Sequence, residues 1–298
     1  MRDNFKNSIL TNADKKMIFL TGDLGFGALE EIQKKLKNRF INAGISEQNM
    51  LSISAGLSKE GFDVWVYSIA PFVYARPFEQ LRNDICFHNL PVKIVGNGAG
   101  YGYGVMGPTH HAIDDYGTLM NLPNIKIFTP VFNEDLPRVV KKLKLIKCPA
   151  YLRLGNTSSC KLKINKYSKY RKLTSGNGAT IIGVGNIATD FIDFCNSYDI
   201  QKRPNLWAIS EFDKNEKLPN FLKNTKIKSL IIIEEHLRVG SFGSLLTYNL
   251  IKEKIMPRNF YHMHAKKNIY NSYGNQKFLR KKSNLTTEFL KKLLNGFK

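Results

Sequence analysis

The sequence predicts an α/β protein of two domains, each built on a mostly parallel sheet flanked by helices. Three observations lead there. Short apolar runs alternate with longer amphipathic stretches, the pattern of strands alternating with helices. That alternation is interrupted by a basic, polar stretch from Gly155 to Gly178 and then resumes. The length of 298 residues, with 43% apolar composition, is enough for two ordinary cores.

The elements follow in order. MIFLTGD (17–23) reads as a buried strand ending in a turn, and ALEEIQKKLKNRF as a polar-faced helix. After FINAGISEQN comes MLSISAGLSKEG, whose small residues suit a tightly packed helix. DVWVYSIAP (63–71) is a second strand, PFEQLRNDICFHN (77–89) has helical spacing, and LPVKIVGNGAG (90–100) is a strand running into glycines. IKIFTP (125–130) and AYLRL (150–154) are further strands, separated by the helical EDLPRVVKKLKLI. The stretch 156–178 lacks sustained periodicity and reads as an interdomain connection. A second set follows it: strand ATIIGVGN (179–186), helix TDFIDFCNSY, strands NLWAIS (205–210) and SLIIIEEH (229–236), and helix SFGSLLTYNLIKEKI (241–255). The Lys-rich tail from Lys266 reads as one more exposed helix. Residues 1–155 thus form the first domain and 179–298 the second. Strands that alternate with helices pair in parallel, and such sheets carry their sites at the strand ends.

Composition excludes several classes. The apolar content argues against disorder despite a formal charge of +21. No uncharged apolar run reaches membrane-spanning length, and MRDNFKNSILTNADKK lacks the apolar block of a secretory signal, so a soluble, cytoplasmic protein is expected. Cys86, Cys148, Cys160 and Cys195 are scattered without CxxC spacing, which points to reduced thiols rather than a zinc site or disulfide framework. A large positive charge suits nucleic acid. Yet residues 1–155 hold 19 basic against 14 acidic side chains and residues 156–298 hold 26 against 10, mostly dispersed Lys, so a solvated surface is the better reading.

No GxSxG, HExxH, Walker A or CxxC motif is present. GNGAGYGYG (96–104) resembles a phosphate loop but lacks the GK[ST] ending and a helix directly after it, so it reads as a flexible turn at a strand end. Glu47, in AGISEQNM, stands at a helix start among small and apolar neighbours; that environment suits proton sharing with a ring nitrogen, while its plain alternative is a residue complementing the helix dipole. His110 and His111 in GPTHHAIDD lie near Asp114 and Asp115. Adjacent side chains diverge, so one site residue and one structural residue are expected rather than a metal pair. Arg153 carries a fork of donors suited to a phosphate or carboxylate, with an ordinary ion pair as the alternative.

Taken together, GDLG at 22–25, FINAGISEQNMLSISAGLSKEG at 40–61, VYSIAPFVYARPFEQLRND, GPTHHAIDD at 107–115, YLRLG at 151–155, TIIGVGN and IIIEEHLRVGSFGS at 231–244 resemble, in wording and order, the C-terminal half of the transketolase family. The resemblance spans nearly the whole chain and is greatest to the C-terminal subunit of a split transketolase. It implies a pyrimidine-binding domain followed by a transketolase C-terminal domain. It further implies that Glu47 hydrogen-bonds N1′ of thiamine diphosphate and so favours its imino tautomer. Ile45 falls where a bulky apolar residue bends that cofactor, Asp23 on the acidic residue of the first loop, and Phe72 in the aromatic segment against the aminopyrimidine, with Val73 and Tyr74 as neighbouring registers. His110 falls on a substrate-contacting, catalytic histidine and Arg153 on a residue binding substrate phosphate.

Two departures bear on the substrate. Met106 stands where the family carries an acidic residue before GPTH, and an upstream histidine is replaced near Gly98 in the glycine loop. A sugar phosphate is the default substrate and an unusual sugar the alternative. No GDG followed by a downstream metal-ligating Asn occurs, so Mg²⁺ or Ca²⁺ and the diphosphate are expected on an N-terminal partner subunit, in a two-plus-two heterotetramer. The activity implied is transfer of a two-carbon ketol unit from a ketose to an aldose. Alternatives are a deoxyxylulose phosphate synthase-like or 2-oxo acid dehydrogenase-like β-type component, and a noncatalytic or nucleic-acid-binding protein on this fold.

Overall fold

The computed structural model describes residues 1–157, 166–223, 227–266 and 273–297. Six strands precede residue 158: β1 (Met17–Thr21), β2 (Phe40–Asn42), β3 (Asp63–Ile69), β4 (Lys93–Asn97), β5 (Lys126–Phe128) and β6 (Ala150–Leu154). Six follow: β7 (Tyr170–Lys172), β8 (Thr180–Val184), β9 (Asn205–Ile209), β10 (Glu211–Phe212), β11 (Ser229–Glu234) and β12 (Asn259–His264). Among the described residues they form a seven-stranded sheet, β10-β5-β6-β4-β3-β1-β2, and a five-stranded sheet, β12-β11-β8-β9-β7. All pairs are parallel except β10 with β5 and β7 with β9.

Helices cover both faces of the first sheet, which is why its strands are continuously apolar rather than alternating. Every residue of MIFLT in β1 is buried. Met17 and Phe19 join Phe5, Ile32, Trp65 and Val139 on one side. Ile18 and Leu20 join Met50, Leu51, Leu81 and Ile85 on the other. The period-2 side-chain direction of a strand thus feeds two separate cores. The helix at Glu30–Leu36 is shorter than its polar pattern suggested because Lys37 takes a φ of 55°, after which the chain re-enters the sheet at Phe40.

The structure corrects the sequence in three places. Residues 170–172 of the expected connection are strand β7, with Tyr170 opposite Ile209 of β9; residues 158–165, including Cys160, lie outside the described residues. Strand β10 leaves the second half and pairs with β5 of the first sheet, so the two sheets interlock rather than follow one after the other along the chain. The tail holds strand β12 just before it and two helices, Gln276–Lys282 and Thr287–Gly296, whose Leu279, Arg280 and Leu290 are buried. A two-faced pattern such as NFYHMH at an edge strand carries too little apolar signal to be seen in advance. No helix among the described residues is long and apolar enough to cross a membrane. Cys86, Cys148 and Cys195 are free thiols.

Candidate active site

The loops after parallel strands converge at one edge of the sheet. Asp23 follows β1, Ile45 and Glu47 follow β2, Phe72 follows β3, and the glycine loop with His110 follows β4. Since β4, β3, β1 and β2 are neighbours in that order, the four loops sit side by side.

Glu47 is the first residue of the helix Glu47–Lys59, and only 5% of it is exposed. The helix N-terminus favours a negative charge there. One side chain reaches it from solvent: Arg76 Nη1 donates to Glu47 Oε1 at 2.9 Å. The Arg76 guanidinium at the same time lies 3.8 Å above the centre of the Phe72 ring. Phe72 meets His110 edge to face at 5.1 Å, and Tyr103 of the glycine loop stands 6.3 Å from His110 on another side. Thr109 Oγ1 lies 3.0 Å from His110 Nδ1. An open cleft of about 690 Å³ runs along Ile45, Ser46, Glu47, Gln48, Asn49 and Arg76. Ile45 is 78% exposed at its mouth. Asp23 is exposed beside it and accepts from Asn42 Nδ2 at 3.1 Å.

The three neighbouring positions of the aromatic segment differ in burial. Val73 and Tyr74 point into the core, whereas Phe72 is half-buried on the cleft side. The two histidines separate as their adjacency required. His110 packs against Phe72 and Tyr103, while His111 is buried and its Nε2 donates to the Gly104 carbonyl at 3.0 Å. Burial pushes His111 below the ordinary histidine range, which favours this neutral form. No group of three or more potential ligands is arranged to hold a metal among the described residues.

Arg153 is placed differently from the sequence expectation of a phosphate contact. It is 4% exposed, in the middle of the sheet on β6. Its Nε donates to Asp115 Oδ2 at 2.7 Å, and Nη2 to the carbonyls of Ala112 and Glu235 at 2.8 and 3.0 Å. Burial, the largest single influence, would lower its pKa; the Asp115 carboxylate together with the Tyr116 and Tyr151 hydroxyls raises it on balance. Every one of these bonds is internal, so Arg153 acts as a brace, the ion-pair alternative with a buried partner in place of a surface one.

Arg76 and Tyr103 were not singled out from the sequence. Arg76 lies in a segment that carried the resemblance and Tyr103 in the glycine loop read as a flexible turn, but nothing in the charge pattern marks Arg76 as the residue that would meet Glu47 across 29 positions. Glu235 was likewise missed, although the run IIIEEH, with two acids and a histidine at the end of an apolar strand, is a signal of buried charge.

Comparison with known proteins decides the family. Residues 8–158 match the transketolase pyrimidine binding domain. The chain belongs to the transketolase family. An apulose-4-phosphate transketolase subunit of Phocaeicola vulgatus is 29% identical over 269 residues, spanning 86% of this chain and 85% of that protein. The 1-deoxy-D-xylulose-5-phosphate synthase of Lawsonia intracellularis is 26% identical over 96% of this chain, which covers 46% of the synthase. A solved split gene transketolase, described as an inactive beta4 tetramer, superposes with a TM-score of 0.82 at 23% identity, covering 99% of this chain and 97% of that one. The fold expectation is therefore met, and the chain is a C-terminal transketolase component, a transferase subunit of a thiamine diphosphate-dependent family.

Proposed function

We propose that this chain supplies the pyrimidine half of a split transketolase active site and transfers ketol units only when a partner subunit supplies the diphosphate half. The observation that carries this reading is the seat occupied by Arg76. A flat, N–H-bearing group is stacked on Phe72 and hydrogen-bonded to buried Glu47, and an aminopyrimidine presents the same two features, a flat face and ring nitrogens. The residues present therefore fit thiamine diphosphate.

When bound, that cofactor supplies the nucleophilic carbon and the electron sink for breaking the carbon–carbon bond. Glu47 exchanges a proton with the ring nitrogen it faces, a role that a carboxyl performs and an amide does not. Phe72 would hold the ring face, Ile45 would bend the bound cofactor, and Asp23 would border it at the first loop. His110 meets a substrate hydroxyl at the cleft edge. Arg153 keeps strand β6 and the loop around Ala112 in place from below. The diphosphate and its Mg²⁺ or Ca²⁺ belong to the partner, and two copies of each chain complete the assembly. The exposed Ile45, Phe26, Val105 and Met106 are apolar residues that such a partner would cover.

The relatives named for apulose 4-phosphate make phosphorylated ketoses the first donors to test, and those named for deoxyxylulose phosphate synthase make pyruvate the second. The test is capture of the tagged chain from its native cells. Recovery of a stoichiometric companion with GDG and a downstream Asn, giving thiamine diphosphate-dependent ketol transfer from a ketose, is expected. Activity of the isolated chain, or turnover only from pyruvate, would overturn the reading.

A further inference from the structure

The glycine loop that carries His110 is closed on itself. Gly100 N donates to the Ala112 carbonyl at 3.1 Å and Ala112 N donates back at 2.8 Å, so residues 100–112 form one lobe. Beside that closure, the Tyr101 N–H has its partner in the second half of the chain. It donates to Glu235 Oε1 at 2.7 Å. Glu235 lies just beyond β11 and is buried. Its Oε1 also accepts from Gln276 Nε2 at 3.0 Å, and Oε2 accepts from Arg280 Nε at 2.8 Å and from Arg280 Nη2. Arg280 extends the network to Asp190, 2.5 Å away.

The loop is shaped for this carboxylate. Gly100 has a φ of +59°, and a Cβ there would lie 2.6 Å from Glu235 Cδ. Only a residue without a side chain lets Glu235 lie flat on that backbone. Two residues beyond Tyr101, Tyr103 folds its ring over Gly98 so closely that a Cβ would stand 2.1 Å from it, and its hydroxyl accepts from Asn97 Nδ2 at 2.6 Å. Tyr101 meets His111 edge to face at 5.3 Å. The Tyr103 side of His110, opposite Phe72, is thus set by a loop whose entry is pinned by Glu235.

We propose that Glu235 is a positioning residue for His110: it fixes the entry of the 100–112 loop and so places the histidine edge of the substrate cleft. The inference rests on the split transketolase reading for its kinetic consequence, but its structural consequence stands alone. A buried carboxylate bound to a backbone N–H and a guanidinium holds a loop more firmly than neutral contacts do, since charge-assisted hydrogen bonds are the stronger kind. A displaced substrate-binding group loses its contact with the bound substrate, which weakens binding.

The test compares Glu235→Ala with Glu235→Gln, in which the amide oxygen still accepts from Tyr101 N. Hydrogen exchange on the isolated chain is read first. In Glu235→Ala, amides from Gly98 to His111 are expected to exchange at least about tenfold faster while β1 and β3 keep their protection, with Glu235→Gln in between, since it keeps the bond to Tyr101 N and loses the charge-assisted bonds from Arg280. In the complex with the partner, Glu235→Ala is expected to raise KM for the ketose about tenfold with kcat within a factor of a few, because a displaced binding group weakens substrate binding. Uniform loss of protection across both sheets, or a fall in kcat at unchanged KM, would show a merely structural role and overturn the proposal. If Glu235→Ala does not fold, Gln276→Ala together with Gly100→Ala applies the same readouts to the same contact. A wild-type complex without ketol transfer would count against the split-enzyme reading alone, since the exchange pattern still decides whether Glu235 fixes the loop.

Discussion

Arg153 donates through Nε to Asp115 at 2.7 Å with both side chains out of solvent. Asp115 also accepts from the Tyr151 hydroxyl at 2.9 Å, and the Arg153 guanidinium lies 5.0 Å over the Tyr116 ring. Removing one partner of such a pair strands the other charge, at a cost of about 3–5 kcal/mol. Arg153→Met is therefore expected to lower the urea midpoint strongly, whether or not substrate is present. A variant that keeps full stability and loses only affinity for phosphorylated donors would return Arg153 to the substrate site.

Arg76 competes for the groups that the aminopyrimidine needs. Arg76→Ala frees Glu47 and the face of Phe72, so the isolated chain is expected to bind a free aminopyrimidine more tightly than wild type does, by a factor of a few. The exposed guanidinium contributes only about 0–1 kcal/mol to its ion pair, which bounds the gain. Calorimetric titration checks this, with Glu47→Gln as the variant expected to bind poorly. Weaker binding by Arg76→Ala would mean that the guanidinium helps to hold the ring.

Stability should fall on mild acidification. His236 Nε2 accepts from Gly117 N at 3.1 Å, and its Nδ1 donates to the Leu237 carbonyl at 2.7 Å, so the folded state needs the neutral ring. Burial lowers its pKa first of all, against the opposing pull of Asp115 and Glu234. His111 and His264 are shifted the same way by burial. The unfolded chain takes up these protons at about pH 6.5, the folded chain only below it. Stability is therefore full above about 6.5 and is lost as pH falls. Urea midpoints at pH 7.5 and 5.5 test the sign, and His236→Asn should reduce the difference. A midpoint that rises toward pH 5.5 would contradict it.

The junction of the two sheets should be intolerant of bulk. A Cβ on Gly117 would lie 2.6 Å from His236 Cε1 and 2.9 Å from the Gly240 carbonyl. Overpacking at such a contact costs about 1–3 kcal/mol. Gly117→Ala is expected to lose that much in chemical denaturation, whereas Gly56→Ala, where nothing lies within 4 Å, should leave stability equal or improved.

Much of this was legible from local patterns. Buried parallel strands announce themselves as apolar runs, which is why MIFLT, VWVYSI and LIIIE stand where they were expected. Glu47, Phe72 and His110 lie together because each follows one strand of a contiguous sheet, and strand order is implied by the family resemblance rather than by composition. What stayed hidden depends on distant partners. Arg153 on a strand looks like a free donor until Asp115 is placed beside it, 38 positions away. β7 is three residues long with a single buried one, Arg171, whose partner Asp135 sits in the first half of the chain. Glu235 reads as the polar end of a strand until Tyr101, 134 positions earlier, turns its N–H toward it.

The most direct measurement is thiamine diphosphate-dependent ketol transfer by the reconstituted pair, with wild-type chain and with Glu47→Gln. Removing a positioned acid–base group typically costs about 10²–10⁴ in rate. Loss of that size in Glu47→Gln, with unchanged assembly and thermal stability and no activity in either chain alone, is the predicted result. Full activity of Glu47→Gln in the pair would contradict the assignment of this cleft as the cofactor's proton-handling site.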